Sequence, residues 1–365
     1  TNMTKNTTPK SPAGLFGLAV DPAHDNIGIF EEAITKDVWR EKYRSNGEDH
    51  PYTSFTRVCT GVYKNDTKEH MHEAFIAMRS GLWMPAGRIH AGAGTKKHVT
   101  LMNCYVNGTL DDSMEGIFKG LTHNALTLRM GGGMGTDFTP LRPEFAKLGR
   151  LGEGVYSSGP VSFMNVWDAS CTTIISAGYR RGAMMGTLAD YHPDLPKFLR
   201  AKTESGVLTQ FNISILVSDA FMDAVRHGED WDLYFHEPPT NKEPIGTFKD
   251  DNDITQYIYE RLDARALWDD IVRTTYEFSE PGVIFIDRVN ELNNLGYCED
   301  IRCTNPCGEQ PLPPHGCCLL GAINLARLVK KPFQDKGRAF GMDVGPLFDF
   351  DTLKVVVRIG VRYMD

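Results

Sequence analysis

The chain lacks any apolar run approaching the ~20 residues that cross a bilayer. Its N-terminal stretch, TNMTKNTTPKSPAG, is polar and has no hydrophobic segment of a secretory signal, so residues 1–27 read as a loose, flexible arm. A basic excess is missing too: 39 Lys and Arg stand against 47 Asp and Glu, a net charge of −8. That balance argues against direct nucleic-acid binding, which needs a cationic surface to displace counterions. A small anionic ligand stays open, because a few arginines and helix N-termini bind phosphate locally. Eight cysteines in 365 residues are too sparse for a disulfide scaffold. Without a secretion signal they read as thiols of a reducing cytoplasm. Internal repeats and low-complexity tracts are absent.

What is present is the composition of a globular protein, 41% apolar, 24% charged and 10% aromatic, long enough to bury a large core. Residues 28–97 form a small helical N-terminal region, with apolar positions at helical spacing in IFEEAITKDVWREKY and EHMHEAFIAMRSGLW. HVTLMNCYVNG (98–108) predicts a short buried strand. SMEGIFKGLTHNALTLRM predicts an amphipathic helix with Asp112 and Ser113 as candidate caps. SGPVSFMNVWDASCTTIIS predicts a second helix with Pro160 in its first turn. TQFNISILVS, WDLYFHEP and PGVIFIDRVN are apolar pieces bounded by turn residues, and 238–253 reads as a polar surface connection. Strands alternating with long helices predict an α/β architecture with a largely parallel sheet. The chain stops at VRYMD directly after a helical pattern, which reads as an interrupted fold.

Several motifs invite chemistry. GGGMGT (131–136) follows a helix and precedes a strand, the reverse of a dinucleotide fingerprint, so it reads as a helix-ending turn. His70, His72 and Glu73 sit in a charged helical pattern and read as a solvated face. SAGYRRGAMMG (176–186) sets Arg180 and Arg181 in a glycine-rich loop, as an anion clamp or an ordinary cationic terminus. Five cysteines lie at 298, 303, 307, 317 and 318, a poor match to zinc spacing even with His315 as a further ligand. Cys59, Cys171, Cys298 and Cys303 suit buried thiols. Cys307 does not, because Pro306 and Gly308 hold it in a tight exposed turn with Glu309 two residues on. A thiol and a carboxylate on one stiff loop can act jointly on neighbouring atoms of a substrate.

NPCGEQPL followed by CLLGAINL closely resembles the signature of ribonucleotide reductase catalytic subunits. MPAGRIHAGAG with TLMNCYV, SSGPVSFMNVWDASC, SAGYRRGAMMG and FNISILVSDAFM are similar to that family in its usual order. The likeness covers roughly residues 30–365 and is strongest to the adenosylcobalamin-dependent (class II) branch and the phage enzymes similar to it. Asn103 before Cys104, rather than serine, belongs to that impression. The resemblance implies a ten-stranded α/β barrel over 98–365, built of two five-stranded parallel halves around a finger loop and truncated at its C-terminal part. It implies Cys307 as the thiyl-radical cysteine, Glu309 as the base for the 3′-hydroxyl, and Asn305 and Asn103 as substrate contacts. Cys104 and Cys318 would be the reducing pair that closes into a disulfide.

Asp112, Arg180, Arg181 and Lys202 match the region where a deoxynucleoside triphosphate or ATP sets substrate specificity at a homodimer interface. Adenosylcobalamin is the implied cofactor, with a separate dimetal-containing small subunit as the other radical source. A thioredoxin- or glutaredoxin-type reductant is the implied electron donor, and no resident metal is expected. The location is the cytoplasm, the host's for a phage-encoded chain. Residues 1–60 are too short for the family's ATP-binding cone. Two readings of other classes stand beside this one: a zinc-stabilised structural module, and a nucleotide-binding remnant without catalysis.

Overall fold

The computed structural model describes residues 32–148, 155–174, 182–329 and 348–365. These fall into two compact units, one spanning residues 98–318 and the other pairing the described residues up to 97 with those from 319.

The unit that begins the chain opens with α1 (Ala33–Val38), which continues as a π-helical turn, Trp39–Tyr43. Helices α2 (Pro51–Val62) and α3 (Lys68–Arg79), strand β1 (Trp83–Pro85) and helix α4 (Gly87–Gly92) follow. α2 starts where its sequence dictates: Pro51 occupies the first turn and the His50 side chain accepts from the Tyr52 N–H. Arg57 ties the loops together, with Nε on Glu48 at 2.6 Å and its other nitrogens on the carbonyls of Tyr43, His90 and Ala93.

The second unit carries β2 (Cys104–Val106), α5 (Met114–Arg129), β3 (Gly133–Asp137), α6 (Pro160–Thr173) and β4 (Met184–Ala189). It continues with α7 (Leu195–Leu199), β5 (Phe211–Val217), α8 (Asp219–His227), β6 (Asp230–Phe235), β7 (Gly246–Lys249) and β8 (Thr255–Asp263). α9 (Ala264–Phe278), β9 (Gly282–Phe285), α10 (Ile286–Glu291), β10 (Cys303–Thr304), β11 (Pro311–Leu312) and β12 (Cys317–Cys318) complete it. One sheet has the order β12-β2-β3-β4-β5-β9, in which the five strands from β2 to β9 run parallel and β12 lies antiparallel on β2. Parallel strands joined by helices are buried on both faces, as in β4, which is buried throughout, and β5, buried at every position but Asn212.

The core between sheet and helices is dense with aromatics. Trp167, Phe138, Phe198, Phe211 and Phe221 are fully buried, and the Phe138 ring meets Trp167 edge-on at 5.3 Å. Each such side chain contributes about 1.5–3 kcal/mol by leaving water. Ser113 caps α5 by accepting from the Gly116 N–H, while its neighbour Asp112 is engaged elsewhere. The tail returns to the first unit with β13 (Gly321–Ile323), which pairs with β1, a 3₁₀ turn (Leu325–Leu328) and α11 (Phe350–Met364).

Three sequence expectations are corrected. The strand expected over 98–108 contracts to Cys104–Val106. The polar connection 238–253 contains a strand, β7, in a separate three-stranded antiparallel sheet of order β6-β8-β7. Cys298 is exposed rather than buried, because residues around it turn at the surface with the Cys298 N–H bonded to the Leu295 carbonyl. Cys59, Cys171 and Cys303 are buried as expected. No described helix is long and apolar enough to cross a membrane.

Candidate active site

The proline-rich segment folds as a hairpin. β10 and β11 pair antiparallel, Cys303 with Leu312 and Thr304 with Pro311, and NPCGEQ (305–310) forms the tip. Prolines 306, 311, 313 and 314 remove donors and fix φ, so the segment cannot extend into a longer ladder. The tip is stitched internally by Asn305: its N–H donates to the Gln310 carbonyl, its Oδ1 accepts from the Gln310 N–H at 3.0 Å, and its carbonyl accepts from the Gly308 N–H. Gly308 takes φ +83°, a left-handed turn that a side chain would strain. The result presents the Cys307 thiol and the Glu309 carboxylate at the exposed end.

The hairpin lies across the parallel sheet at strand β3, where glycines leave room for it. A Cβ on Gly135 would stand 1.9 Å from the Thr304 carbonyl oxygen and 3.0 Å from Cys303 Sγ. A Cβ on Gly133 would meet Pro306 Cγ at 2.8 Å and Cys104 Sγ at 3.4 Å. Gly133 is thus flanked by the residue before Cys307 on one side and the Cys104 thiol on the other. The GGGMGT motif, expected to be a turn, supplies this close approach from within a strand; only Gly131, at φ +93°, ends the helix. Beneath the hairpin, Cys303 packs with Val106 and Met185, and Leu312 covers them.

β12 brings in the last thiol. Its register pairs Cys318 with Cys104 and Cys317 with Tyr105, and the Asn103 N–H donates to the Cys318 carbonyl at 2.9 Å. Neighbouring residues of a strand face opposite ways, so Cys318 is buried toward Cys104 while Cys317 is exposed. A hydrogen bond from the Cys318 thiol lowers Cys104 to about 7, against the opposing cost of burial. The Asn305 amide and the Gly133 N–H also favour the Cys104 thiolate, and the Glu309 charge opposes it. Cys318 moves the other way, raised by its bond to Cys104 and by burial. Asn305 is fully buried, and apart from its interaction with the Cys104 thiol its amide nitrogen has no hydrogen-bond partner. A buried amide with a spare N–H beside two thiols is a ready contact for a polar ligand atom.

The structure therefore brings together Cys104, Cys318, Asn103, Asn305 and Glu309 around the tip that carries Cys307. The other expected residues engage different partners. Asp112 accepts from the Arg142 backbone N–H at 3.1 Å and from its Nε at 2.7 Å. The Lys202 ammonium binds the Phe211 carbonyl and the Glu280 carboxylate. Arg180 and Arg181 lie outside the described residues. His70 contacts Asp66 at 3.1 Å, and Glu73 pairs with Arg358. Among the described residues no three His, Cys, Asp or Glu side chains converge as a metal site.

Sequence reasoning missed Asn212, Thr187 and the two glycines, all of which touch the hairpin; a polar residue inside an apolar strand and glycines inside a strand were the available signals. A wide cleft of about 1260 Å³ lies beside the base of the hairpin and is lined by Arg302, Cys303, Leu312, Asp137 and Tyr191. Burial pushes the Asp137 carboxyl there up to about 6. Neither Cys307 nor the Cys104–Cys318 pair lines that cleft.

Comparison with known proteins bears on this constellation. The family model of the ribonucleotide reductase barrel domain matches residues 102–365. The chain is 36% identical over 304 residues to the vitamin B12-dependent ribonucleoside-diphosphate reductase of Thermoplasma acidophilum, covering 83% of this chain and 35% of that protein. It is 35% identical over 266 residues to the protein of the same name from Mycobacterium tuberculosis, covering 73% and 34%. It is 25% identical over 327 residues to the ribonucleoside-diphosphate reductase large subunit of Vaccinia virus, covering 87% and 41%. The chain spans about a third of the length of the first two of these relatives. With most of its length matched by the barrel-domain model and a thiol-bearing hairpin seated on a parallel sheet, the chain belongs to the ribonucleotide reductase family.

Proposed function

We propose that the chain is the thiol-bearing part of an enzyme that reduces ribonucleotides to 2′-deoxyribonucleotides. The observation that carries this is an arrangement of three thiols of different character: the facing pair Cys104 and Cys318, and exposed Cys307 on a stiff tip whose Pro306 lies against the same Gly133 as the Cys104 thiol. In this reading Cys307, as a thiyl radical, takes the hydrogen atom from C3′ of the ribose and becomes a thiol. Glu309 accepts the 3′-hydroxyl proton, which loosens the neighbouring 2′-hydroxyl. That hydroxyl leaves as water with a proton from the Cys104–Cys318 pair. The pair supplies two electrons and closes into a disulfide, its second hydrogen going to C2′, Glu309 gives its proton back to the 3′-oxygen, and Cys307 returns its hydrogen atom to C3′. Ribonucleotide and dithiol thus give deoxyribonucleotide, disulfide and water. Asn305 and Asn103 hold the ribose hydroxyls, a role that suits the buried Asn305 amide, whose nitrogen has no partner apart from the Cys104 thiol.

The five parallel strands with antiparallel β12 are, on this reading, one half of a ten-stranded barrel and the first strand of the other. The diphosphate form of the substrate and adenosylcobalamin are supported by the names of the archaeal and mycobacterial relatives. When bound, that cofactor supplies the hydrogen-abstracting radical that a thiol cannot generate alone. Cys307 is the residue of this chain suited to receive it, being exposed at the tip. The reading extends to a deoxynucleoside-triphosphate effector near Asp112 and Lys202, a homodimer, and a thioredoxin- or glutaredoxin-type reductant.

The test is deoxyribonucleotide formation by the full-length protein with adenosylcobalamin added or omitted, for wild type and Cys307→Ser. Activity that needs the cofactor and vanishes in Cys307→Ser is the expected result. Full turnover by Cys307→Ser overturns the reading.

A further inference from the structure

The internal bonds of Asn305 fix the shape of the hairpin tip, but they do not fix where the tip stands over the sheet. That position needs bonds from the strands beneath. At the base, the Thr187 hydroxyl of β4 donates to the Arg302 carbonyl at 3.0 Å. At the tip, Asn212 Nδ2 of β5 donates to the Pro306 carbonyl at 2.6 Å, ninety-four positions away in sequence. Pro306 has no N–H of its own, and its carbonyl belongs to the peptide that leads into Cys307. Fixing that carbonyl fixes the plane of the Pro306–Cys307 peptide and hence where the Cys307 Cα, from which the thiol springs, stands over the sheet. Asn212 is also out of character with its strand. In FNISILV every other residue is buried, and the amide stands alone as the exposed position, facing the hairpin.

We infer that Asn212 is a positioning residue that aims Cys307 by clamping the peptide before it. The inference rests on the reading of Cys307 as the reacting thiol. Gly133 and Gly135 complete the seat, since the hairpin can descend to within reach of Asn212 only where β3 has no side chains. An amide suits this role because its oxygen and nitrogen keep a fixed planar geometry, and the nitrogen donates without carrying charge. A misplacement of about 1 Å at a reacting group costs on the order of 100-fold in rate.

The test uses the full-length reductase with Asn212→Leu, which keeps the bulk and removes the donor, and Asn212→Gln, which keeps the donor on a longer stem. Asn212→Asp, of equal size without the amide, serves if Asn212→Leu does not fold. Two readouts are taken: steady-state kinetics, and the rate of iodoacetamide labelling at Cys307 by mass spectrometry with exposed Cys298 as internal standard. The expected result is a kcat lowered by about 10- to 100-fold in Asn212→Leu with KM for the ribonucleotide nearly unchanged. Cys307 labelling should change against Cys298, and Asn212→Gln should recover part of both. Wild-type kcat and labelling in the donor-less variant overturn the inference, as does an equal loss in Asn212→Leu and Asn212→Gln. If Cys307→Ser itself keeps turnover, the functional reading fails instead, and the Cys307 labelling rates still decide whether Asn212 clamps the tip.

Discussion

Cys318 faces Cys104 directly across the antiparallel pairing of β12 on β2, and the hydrogen bond between their thiols divides the acidity of the pair unequally. Cys104 is lowered from the ordinary thiol range to about 7, chiefly because the Cys318 thiol donates to it. A lowered thiol pKa means that the reactive thiolate is already abundant at neutral pH and fades as pH falls through 7. Alkylation of Cys104 should therefore rise with a midpoint near pH 7 in the reduced protein. Cys318→Ala removes the donor, and the midpoint should move up toward the ordinary thiol value of about 8.5. Rates of iodoacetamide labelling at Cys104, followed across pH 5.5–9.5 by mass spectrometry at roughly half-unit steps, measure both. An unchanged midpoint in Cys318→Ala would show that the two thiols are not coupled.

The adjacent cysteines 317 and 318 are chemically alike but structurally unequal. Cys317 pairs in register with Tyr105 and is exposed, whereas Cys318 is buried against Cys104. Only Cys318 can close onto Cys104 without turning the strand over, because neighbouring side chains leave a strand on opposite faces. Cys317→Ser should keep multiple turnover with a dithiol reductant within about twofold of wild type, as expected of a surface substitution. Cys318→Ser should stop sustained turnover, and peptide mapping of the oxidised wild type should find the Cys104–Cys318 disulfide. Sustained activity in Cys318→Ser with loss in Cys317→Ser reverses the assignment.

What the sequence could and could not reveal follows from the range of the interactions. Ser113 at the start of α5 and Pro160 at the start of α6 were legible because a cap acts within one helical turn. The parallel sheet was legible in the apolar runs that became β5 and β9, whereas β4 begins inside SAGYRRGAMMG, which reads as a glycine-rich loop. The stiff tip at Cys307 was legible because Pro306 and Gly308 act on their own backbone. The partnership of Cys104 with Cys318 came only through family resemblance, since the register of a two-residue strand against a distant one is a tertiary fact. Gly133 and Gly135 looked like a turn because a glycine signals room without saying what fills it. Asn212 looked like an ordinary strand residue, and its target lies beyond any local pattern. Cys298 was misread because cysteines favour interiors on average, while its own segment turns at the surface.

The glycines of β3 also set how much the sheet can tolerate beneath the hairpin. An added methyl at Gly133 would sit 2.8 Å from Pro306 Cγ, inside contact distance, and 3.4 Å from both Cys104 Sγ and the Ala183 carbonyl. A flexible side chain could swing away, but Pro306 is a ring in the backbone whose carbonyl is held by Asn212. The strain must therefore move the tip or the strand. Overpacking of this kind costs about 1–3 kcal/mol, so Gly133→Ala should lower the melting midpoint by on the order of 5 °C. It should also reduce turnover, because the displaced atoms are those that separate Cys307 from Cys104. Gly246→Ala on β7 is the control: its added methyl meets only Ile258 Cδ1 at 3.5 Å, ordinary contact, so stability should change by less than about 0.5 kcal/mol. Thermal melts of the two variants with matched activity assays decide the point, and a Gly133→Ala protein as stable and active as Gly246→Ala would mean that the hairpin does not bear on β3 as closely as its glycines allow.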